Sequence, residues 1–296
     1  MHWIKVKAGI APELGEAAEE ALMAAGALAV TFTDAEDQPL YEPERGTTPL
    51  WQNSVVDALF DADTDVEQLK RVASEVFQLY HPGISLSLQV EILENEDWTR
   101  KWLDSFKPIK LGRRLWVCPN WYAPPEPAAV NLRLDPGLAF GTGTHPTTAL
   151  CLKWLDGAEL TDKQVIDYGC GSGILGIAAL LLGARTVCAV DNDPQALLAT
   201  QTNAAQNGLS NARIQTWLPD QCPEHQTDLI LANILAEPLR LLKATLCQRL
   251  IPGGQLVMSG VLERQAESLM AHYSDCIRFE APVVEEGWVR LCGRRS

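Results

Sequence analysis

Apolar residues in the second half of this chain come in short, nearly unbroken runs and do not alternate with polar ones. Gln164–Tyr168 (QVIDY), Thr186–Val190 and Thr227–Ala232 (TDLILA) are such runs, each bounded by turn residues. Strands covered by helices on both faces read this way, so these segments predict the buried strands of a parallel sheet. Ile174–Leu182 is free of polar side chains, as expected of a helix packed tightly on that sheet. Further strands near 212 and 255 and helices near 194, 237 and 263 continue the alternation. The pattern predicts a doubly wound α/β domain over 128–296. Strand-like Cys276–Phe279 and Gly287–Cys292 end it, and 35 residues after Val261 are too few for the second nucleotide-binding half of a dehydrogenase.

The first 95 residues have a different rhythm. Trp3–Lys7 reads as a strand, Pro12–Ala25 as a helix, Leu28–Thr33 and Ser54–Phe60 as strands, Val66–Tyr80 as a helix and Ser85–Ile92 as a strand. The order βαββαβ is that of a ferredoxin-like sandwich, giving a first domain over 1–95. Its Asp34–Asn53 loop, with three prolines, is longer than a hairpin needs. Residues 96–127 are read as a linker. It comprises a helix over Asn95–Phe106 with Trp98 and Trp102 on one face, a basic group at Lys107, Lys110, Arg113 and Arg114, and the irregular stretch Tyr122–Pro127 (YAPPEP).

Candidate chemistry concentrates at the strand ends. Asp167-Tyr168-Gly169-Cys170-Gly171-Ser172-Gly173 joins a strand to a helix through three glycines with an acid in front, a turn that lets a ligand approach backbone where a Cβ would clash. The next strand ends in Asp191, placed to accept hydrogen bonds from two ribose hydroxyls. Gly171-Ser172-Gly173-Ile174-Leu175-Gly176 also satisfies the dinucleotide fingerprint G-x-G-x-x-G, so a nicotinamide or flavin cofactor stays open on this turn alone. The acid before the first glycine and the earlier glycine at 169 favour S-adenosylmethionine. Asn233, after the third strand, offers an acceptor and donors on one carboxamide. Upstream, Pro146 suits the first turn of a helix whose hydroxyls and backbone N–H groups would receive a carboxylate.

Taken together, DPGLAFGTGTHPTT at 135–148, DYGCGSGILG at 167–176, Asp191-Asn192-Asp193-Pro194 and ANILAEPL at 232–239 closely resemble the ribosomal protein L eleven methyltransferases, the PrmA type. The resemblance covers the whole chain, and its FGTGTHPTT stretch is more family-specific than the glycine turn. It implies a class I methyltransferase with a Rossmann-like sheet, transferring methyl groups from S-adenosyl-L-methionine to lysine and N-terminal α-amino groups of a ribosomal protein, to the trimethylated state. Carried over by position, cofactor contacts fall on Thr148, Gly169, Asp191 and Asn233, with Thr147 the close competitor for the first. Asn233 is also expected to orient the incoming amine. Phe140, Thr142 and His145 receive no individual role. Two readings from other classes stand beside this one, an NAD-dependent oxidoreductase and a non-catalytic acidic binding module.

Charge changes the picture on partners. Residues 1–95 hold 17 Asp and Glu against 5 Lys and Arg, a net of −12, whereas 96–296 hold 21 against 19, a net of −2. An acidic first domain disfavours a nucleic-acid backbone and favours a basic protein as partner. The eight cysteines form no C-x-x-C pair and read as reduced thiols, and the five scattered histidines suggest no metal site. No signal pattern or membrane-length apolar run is found, so a cytoplasmic enzyme is expected. It is also expected to be a monomer.

Overall fold

The structure, a computed structural model, describes residues 3–35, 51, 53–93, 106–134 and 143–296. The chain forms two compact units, Met1–Lys101 and Trp102–Ser296. The helix expected over 95–106, except Phe106, most of the 34–53 loop and residues 135–142 with Phe140 and Thr142 lie outside the described residues.

In the first unit, β1 (Trp3–Ile10), α1 (Gly15–Ala24), β2 (Ala29–Asp34), β3 (Ser54–Asp61), α2 (Val66–Tyr80) and β4 (Gln89–Leu93) follow the βαββαβ order. The antiparallel sheet runs β2-β3-β1-β4. Ile4, Val6, Ala8 and Ile10 turn to one face of β1, the period of two that a half-covered sheet requires. They pack in one core with Leu22 of α1 and Leu69 and Phe77 of α2. Asp65 starts α2 by accepting from the backbone N–H groups of Glu67 and Gln68. The last strand begins four residues later than its apolar pattern suggests. The ladder with β1 ends at Lys7↔Gln89, and Leu86 and Leu88 pack against the core without pairing.

The second unit opens with a small sheet of β5 (Ile109–Lys110), β6 (Leu115–Cys118) and β7 (Val130–Arg133). Residues 109–118, read from sequence as part of a linker, are therefore built into this unit. Leu111, Leu115 and Val117 are buried in the same core as Leu152 and Leu155 of α3 (Pro146–Gly157). The buried Asp156 carboxylate accepts the backbone N–H groups of Arg113 and Arg114. The basic group is correspondingly muted, with Lys110 paired to Glu126 at 2.8 Å and Arg114 Nε lying 3.7 Å from Asp156.

The large sheet is built from β8 (Gln164–Tyr168), β9 (Thr186–Val190), β10 (Ile214–Trp217), β11 (Thr227–Asn233), β12 (Leu250–Leu262), β13 (Ile277–Phe279), β14 (Val283–Glu285) and β15 (Trp288–Arg295). Its order is β10-β9-β8-β11-β12-β15-β13, with β14 against β15. The first five strands are parallel, while β15 is antiparallel to β12 and to β13. Helices α4 (Ile174–Leu181), α5 (Pro194–Gln206), α6 (Ala236–Gln248) and α7 (Glu263–Tyr273) make the crossovers. From β8 the chain moves outward to β9 and β10, then returns to β11 on the other side of β8. The loops leaving β8 and β11 therefore diverge, and a crevice opens at their carboxyl ends.

One cysteine expectation is corrected. The sulfurs of Cys247, in α6, and Cys276, just before β13, are bonded, while the other six cysteines are thiols. The two meet because α6 and the segment after α7 pack in one core, a proximity that spacing along the chain does not encode.

Candidate functional site

The turn after β8 folds back on the tip of β9. Gly169 and Cys170 donate their N–H groups to the Val190 carbonyl at 2.7 and 3.1 Å, and Gly171 N–H donates to Asp191 Oδ2 at 2.9 Å. From α5, Thr200 Oγ1 donates to the Gly171 carbonyl at 3.0 Å and Asn203 Nδ2 to the Ser172 carbonyl at 2.8 Å. Both side chains are buried, so the turn is held from below by bonds that water does not contest. Sequence reasoning missed them because a Thr and an Asn inside a helix carry no motif of their own.

Asp167 serves this turn from within the sheet. Its carboxyl is 1% exposed and its Oδ2 accepts the Gly176 N–H at 2.8 Å, in the first turn of α4. Burial pushes its pKa up to about 7, the Gly176 N–H opposing and the nearby Asp191 charge adding. The acid in front of the glycines thus braces the helix start and does not face the crevice.

Gly169 has φ +76°, the left-handed region that glycine enters without strain. A Cβ there would run into Ile234 Cγ2. Across the same residue, Gly260 in β12 has φ +78°, and a Cβ on it would lie 2.5 Å from the Ile234 carbonyl oxygen. Ile234 is thereby seated between two backbones, which fixes the neighbouring Asn233 at the end of β11.

These loops enclose a cavity of about 750 Å³, within the range of sites for small molecules and cofactors. Gly169, Asp191 and Asn233 all line it, together with Tyr168 and Asn192, so three of the four expected cofactor residues converge on one space. Asp191 approaches with both oxygens already accepting backbone N–H groups, Gly171 on Oδ2 and Asp193 on Oδ1 at 3.0 Å. These bonds fix the carboxylate, and each oxygen keeps acceptor capacity for a hydroxyl.

The two threonines divide. Thr147 lines the cavity, whereas Thr148 is 0% exposed and sits behind Asn233, its Oγ1 accepting from Asn233 Nδ2 at 3.1 Å. That bond takes one of the two amide N–H groups. Asn233 Oδ1 is buried and has no hydrogen-bond partner. A buried acceptor left unpaired costs about 1 to 3 kcal/mol, a cost that a ligand N–H would remove.

His145 also reaches the cavity. It caps α3, with Nδ1 accepting from Thr147 N–H at 3.3 Å, and its ring meets Trp288 edge-on at 5.1 Å between centroids. Burial lowers its pKa against the pull of Glu286. The rest of the wall is apolar and comes from distant segments. Leu235, Pro238 and Leu241 stand at the start of α6, Pro219 follows β10, and Trp288 opens β15. Leu235 and Leu241 are 49% and 83% exposed, large apolar side chains presented to solvent at the rim. Nothing in the sequence pointed to Trp288 or Pro219 as part of this wall.

This arrangement suits a nucleoside-bearing ligand. It offers a fixed carboxylate for hydroxyls, a glycine backbone for close approach, and an unpaired amide oxygen for an N–H. Comparisons with known proteins agree over the full length. The family model described as "Ribosomal protein L11 methyltransferase (PrmA)" matches residues 2–296. A "Ribosomal protein L11 methyltransferase" of Pseudomonas aeruginosa is 52% identical over 295 residues, covering 100% of this chain and 99% of the relative. Another, of Marinobacter nauticus, is 50% identical over 299 residues with 100% and 99% covered. Among solved structures, "ribosomal protein L11 methylase" from Lactobacillus delbrueckii subsp. bulgaricus has a TM-score of 0.58 at 34% identity, over 64% of this chain and 100% of that one. The doubly wound sheet, the glycine cradle with Asp191 and a match along the whole chain lead to one conclusion: the chain belongs to the ribosomal protein L11 methyltransferase family.

Proposed function

We propose that this chain transfers methyl groups from S-adenosylmethionine to amino groups of ribosomal protein L11, both lysine side chains and the N-terminal α-amine, to the trimethylated state. The observation that carries the reading is Asn233, which lines the same cavity as Gly169 and Asp191 and whose buried Oδ1 has no hydrogen-bond partner. Bound there, the cofactor supplies an activated methyl on a sulfonium. Asp191 would hold the ribose hydroxyls, the Gly169 backbone would lie against the nucleoside, and Thr147 would take the contact first assigned to Thr148. Thr148 acts through Asn233, fixing its amide so that Oδ1 accepts from the incoming amine and aligns its lone pair.

The acceptor must be neutral to react. An α-amine, with a pKa of about 7.7 to 8, is ready near neutral pH, whereas a lysine at about 10.4 must shed a proton on entry. The apolar rim of Leu235, Pro238 and Leu241 favours the neutral amine by desolvation. The oxidoreductase reading loses its ground in the sheet, where β15 runs antiparallel between β12 and β13 and, among the described residues, no second nucleotide-binding half is built.

The first unit, with its net charge of −12 over residues 1–95, is the candidate for holding a basic protein substrate. The enzyme would act as a cytoplasmic monomer without direct nucleic-acid binding. Among the described residues no helix is long and apolar enough to cross a membrane, and no group of side chains is arranged to hold a metal ion.

The test is incubation of the purified chain with methyl-labelled S-adenosylmethionine and purified ribosomal protein L11, followed by peptide mass mapping at rising salt. Label on amino groups, with KM rising as salt screens the first unit, is expected. Absence of label would overturn the activity, and a salt-independent KM would remove the first unit from recognition.

A further inference from the structure

Beneath the cofactor cavity lie two thiols that methyl transfer does not use. Cys188 is in the middle of β9, the strand that ends at Asp191, and Cys222 closes the turn after β10 by donating its N–H to the Leu218 carbonyl at 3.0 Å. The same turn carries Pro219 into the cavity wall. Their sulfurs are 3.3 Å apart, and both residues are buried, 8% and 7% exposed. Arg249, at the end of α6, holds the second sulfur. Its Nη1 donates to Cys222 Sγ at 3.1 Å and to the Pro223 carbonyl at 3.0 Å, and its Nη2 donates to the Cys222 carbonyl at 3.2 Å. A guanidinium clamped this way is a fixed positive charge on one member of a thiol pair.

We propose that Cys188 and Cys222 form a redox-active dithiol that hydroperoxides oxidise to an intramolecular disulfide, with Cys222 as the attacking thiolate and Cys188 as the resolving thiol. A thiol–thiol hydrogen bond joins the two sulfurs, and this bond, with the Arg249 charge after it, holds the Cys222 pKa below the ordinary thiol range despite burial. Cys188 is shifted the opposite way, chiefly by the same bond and then by burial. The remaining free thiols, Cys118, Cys151, Cys170 and Cys292, are all raised by burial, so the pair is set apart chemically.

Cys222 thiolate attacks one oxygen of hydrogen peroxide, the O–O bond breaks, hydroxide leaves, and Cys222 becomes a sulfenic acid. Cys188 gives its proton to the hydroxide and attacks the Cys222 sulfur. The S–S bond forms as the S–O bond breaks, and the departing hydroxide takes a proton from solvent. The thiol pair loses two electrons and the peroxide, taking them, ends as two waters.

The experiment treats the full-length chain with hydrogen peroxide, blocks remaining thiols with an alkylating agent and maps peptides by mass spectrometry without reduction. A cross-linked peptide pair containing Cys188 and Cys222, two hydrogens lighter than the separate peptides and released by reductant, is expected. In Cys188→Ser the reaction should stop at a sulfenic acid that dimedone traps on Cys222, and in Cys222→Ser neither product should form. Arg249→Gln should move the alkylation of Cys222 to higher pH. If both cysteines of the unsubstituted chain stay fully alkylatable after peroxide, or if oxidation falls equally on Cys118 and Cys292, the proposal is wrong. The mapping of the unsubstituted chain decides this even if a variant fails to fold.

Discussion

The two turns that form the cavity differ in how completely they satisfy themselves. After β8, the loop carbonyls of Gly171 and Ser172 are bonded by Thr200 and Asn203, and the N–H groups of Gly169, Cys170 and Gly171 are taken by Val190 and Asp191. After β11, Asn233 keeps a buried oxygen without a partner, and Leu235 and Leu241 expose apolar surface. A saturated loop is rigid and presents its geometry before anything binds. The unfinished one can gain only when a ligand supplies the missing N–H and covers the apolar rim. The first is suited to holding a cofactor, the second to receiving what reacts with it.

The largest break in this comparison should come from Gly169→Ala. The left-handed φ and the overlap with Ile234 are expected to cost about 2 to 4 kcal/mol together, read as a lower urea midpoint, with cofactor affinity falling sharply in calorimetry. An unchanged affinity in a folded variant would mean that Gly169 does not shape the cradle.

Asp167 gives a pH signature of the saturated side. An unfolded aspartate releases its proton near pH 3.9, whereas the folded carboxyl holds it to about 7 because burial disfavours the charge. Between about pH 4 and 7 the folded state therefore binds more protons than the unfolded state. Stability contributed by the protonated form is lost as pH rises through that window, reaching its full cost above it. Urea unfolding across this range should show that decline in the native chain and a flatter profile in Asp167→Asn. Equal slopes in both would assign the pH dependence elsewhere.

On the unfinished side, Leu241→Ser should have the smallest effect. The side chain is 83% exposed, so thermal stability should stay within about 0.5 kcal/mol, while KM for the protein substrate rises a few-fold and kcat is kept. A KM that does not move would take the rim out of substrate contact.

How much was legible from sequence follows the same division. The parallel strands of the large sheet, the glycine turn and Asp191 are local, with hydrophobic runs and a motif of fixed spacing, and each stands close to where the pattern put it, whereas the short β14 was not anticipated. The first unit likewise followed its periodicity, apart from the late start of β4. Contacts between distant segments were not legible. Thr148 shares a motif with Thr147, yet only the fold shows that one reaches the cavity and the other supports Asn233. Trp288 enters the wall because β15 is laid beside β12, about 140 residues after His145 against which it packs. The strands at 109–118 were read as linker because each is too short to show a period.

The division between the two turns is tested most directly by one paired measurement, in which Asp191→Ala and Asn233→Ala are each assayed for cofactor affinity by calorimetry and for single-turnover methyl transfer at saturating cofactor. Asp191→Ala should weaken binding by roughly tenfold or more, since a charged hydrogen bond is worth about 1.5 to 3 kcal/mol, and keep most of its single-turnover rate. Asn233→Ala should do the reverse, holding affinity within a few-fold while transfer slows by more than about tenfold. If both variants lose affinity and rate in the same proportion, the two turns do not have separate tasks and the account is contradicted.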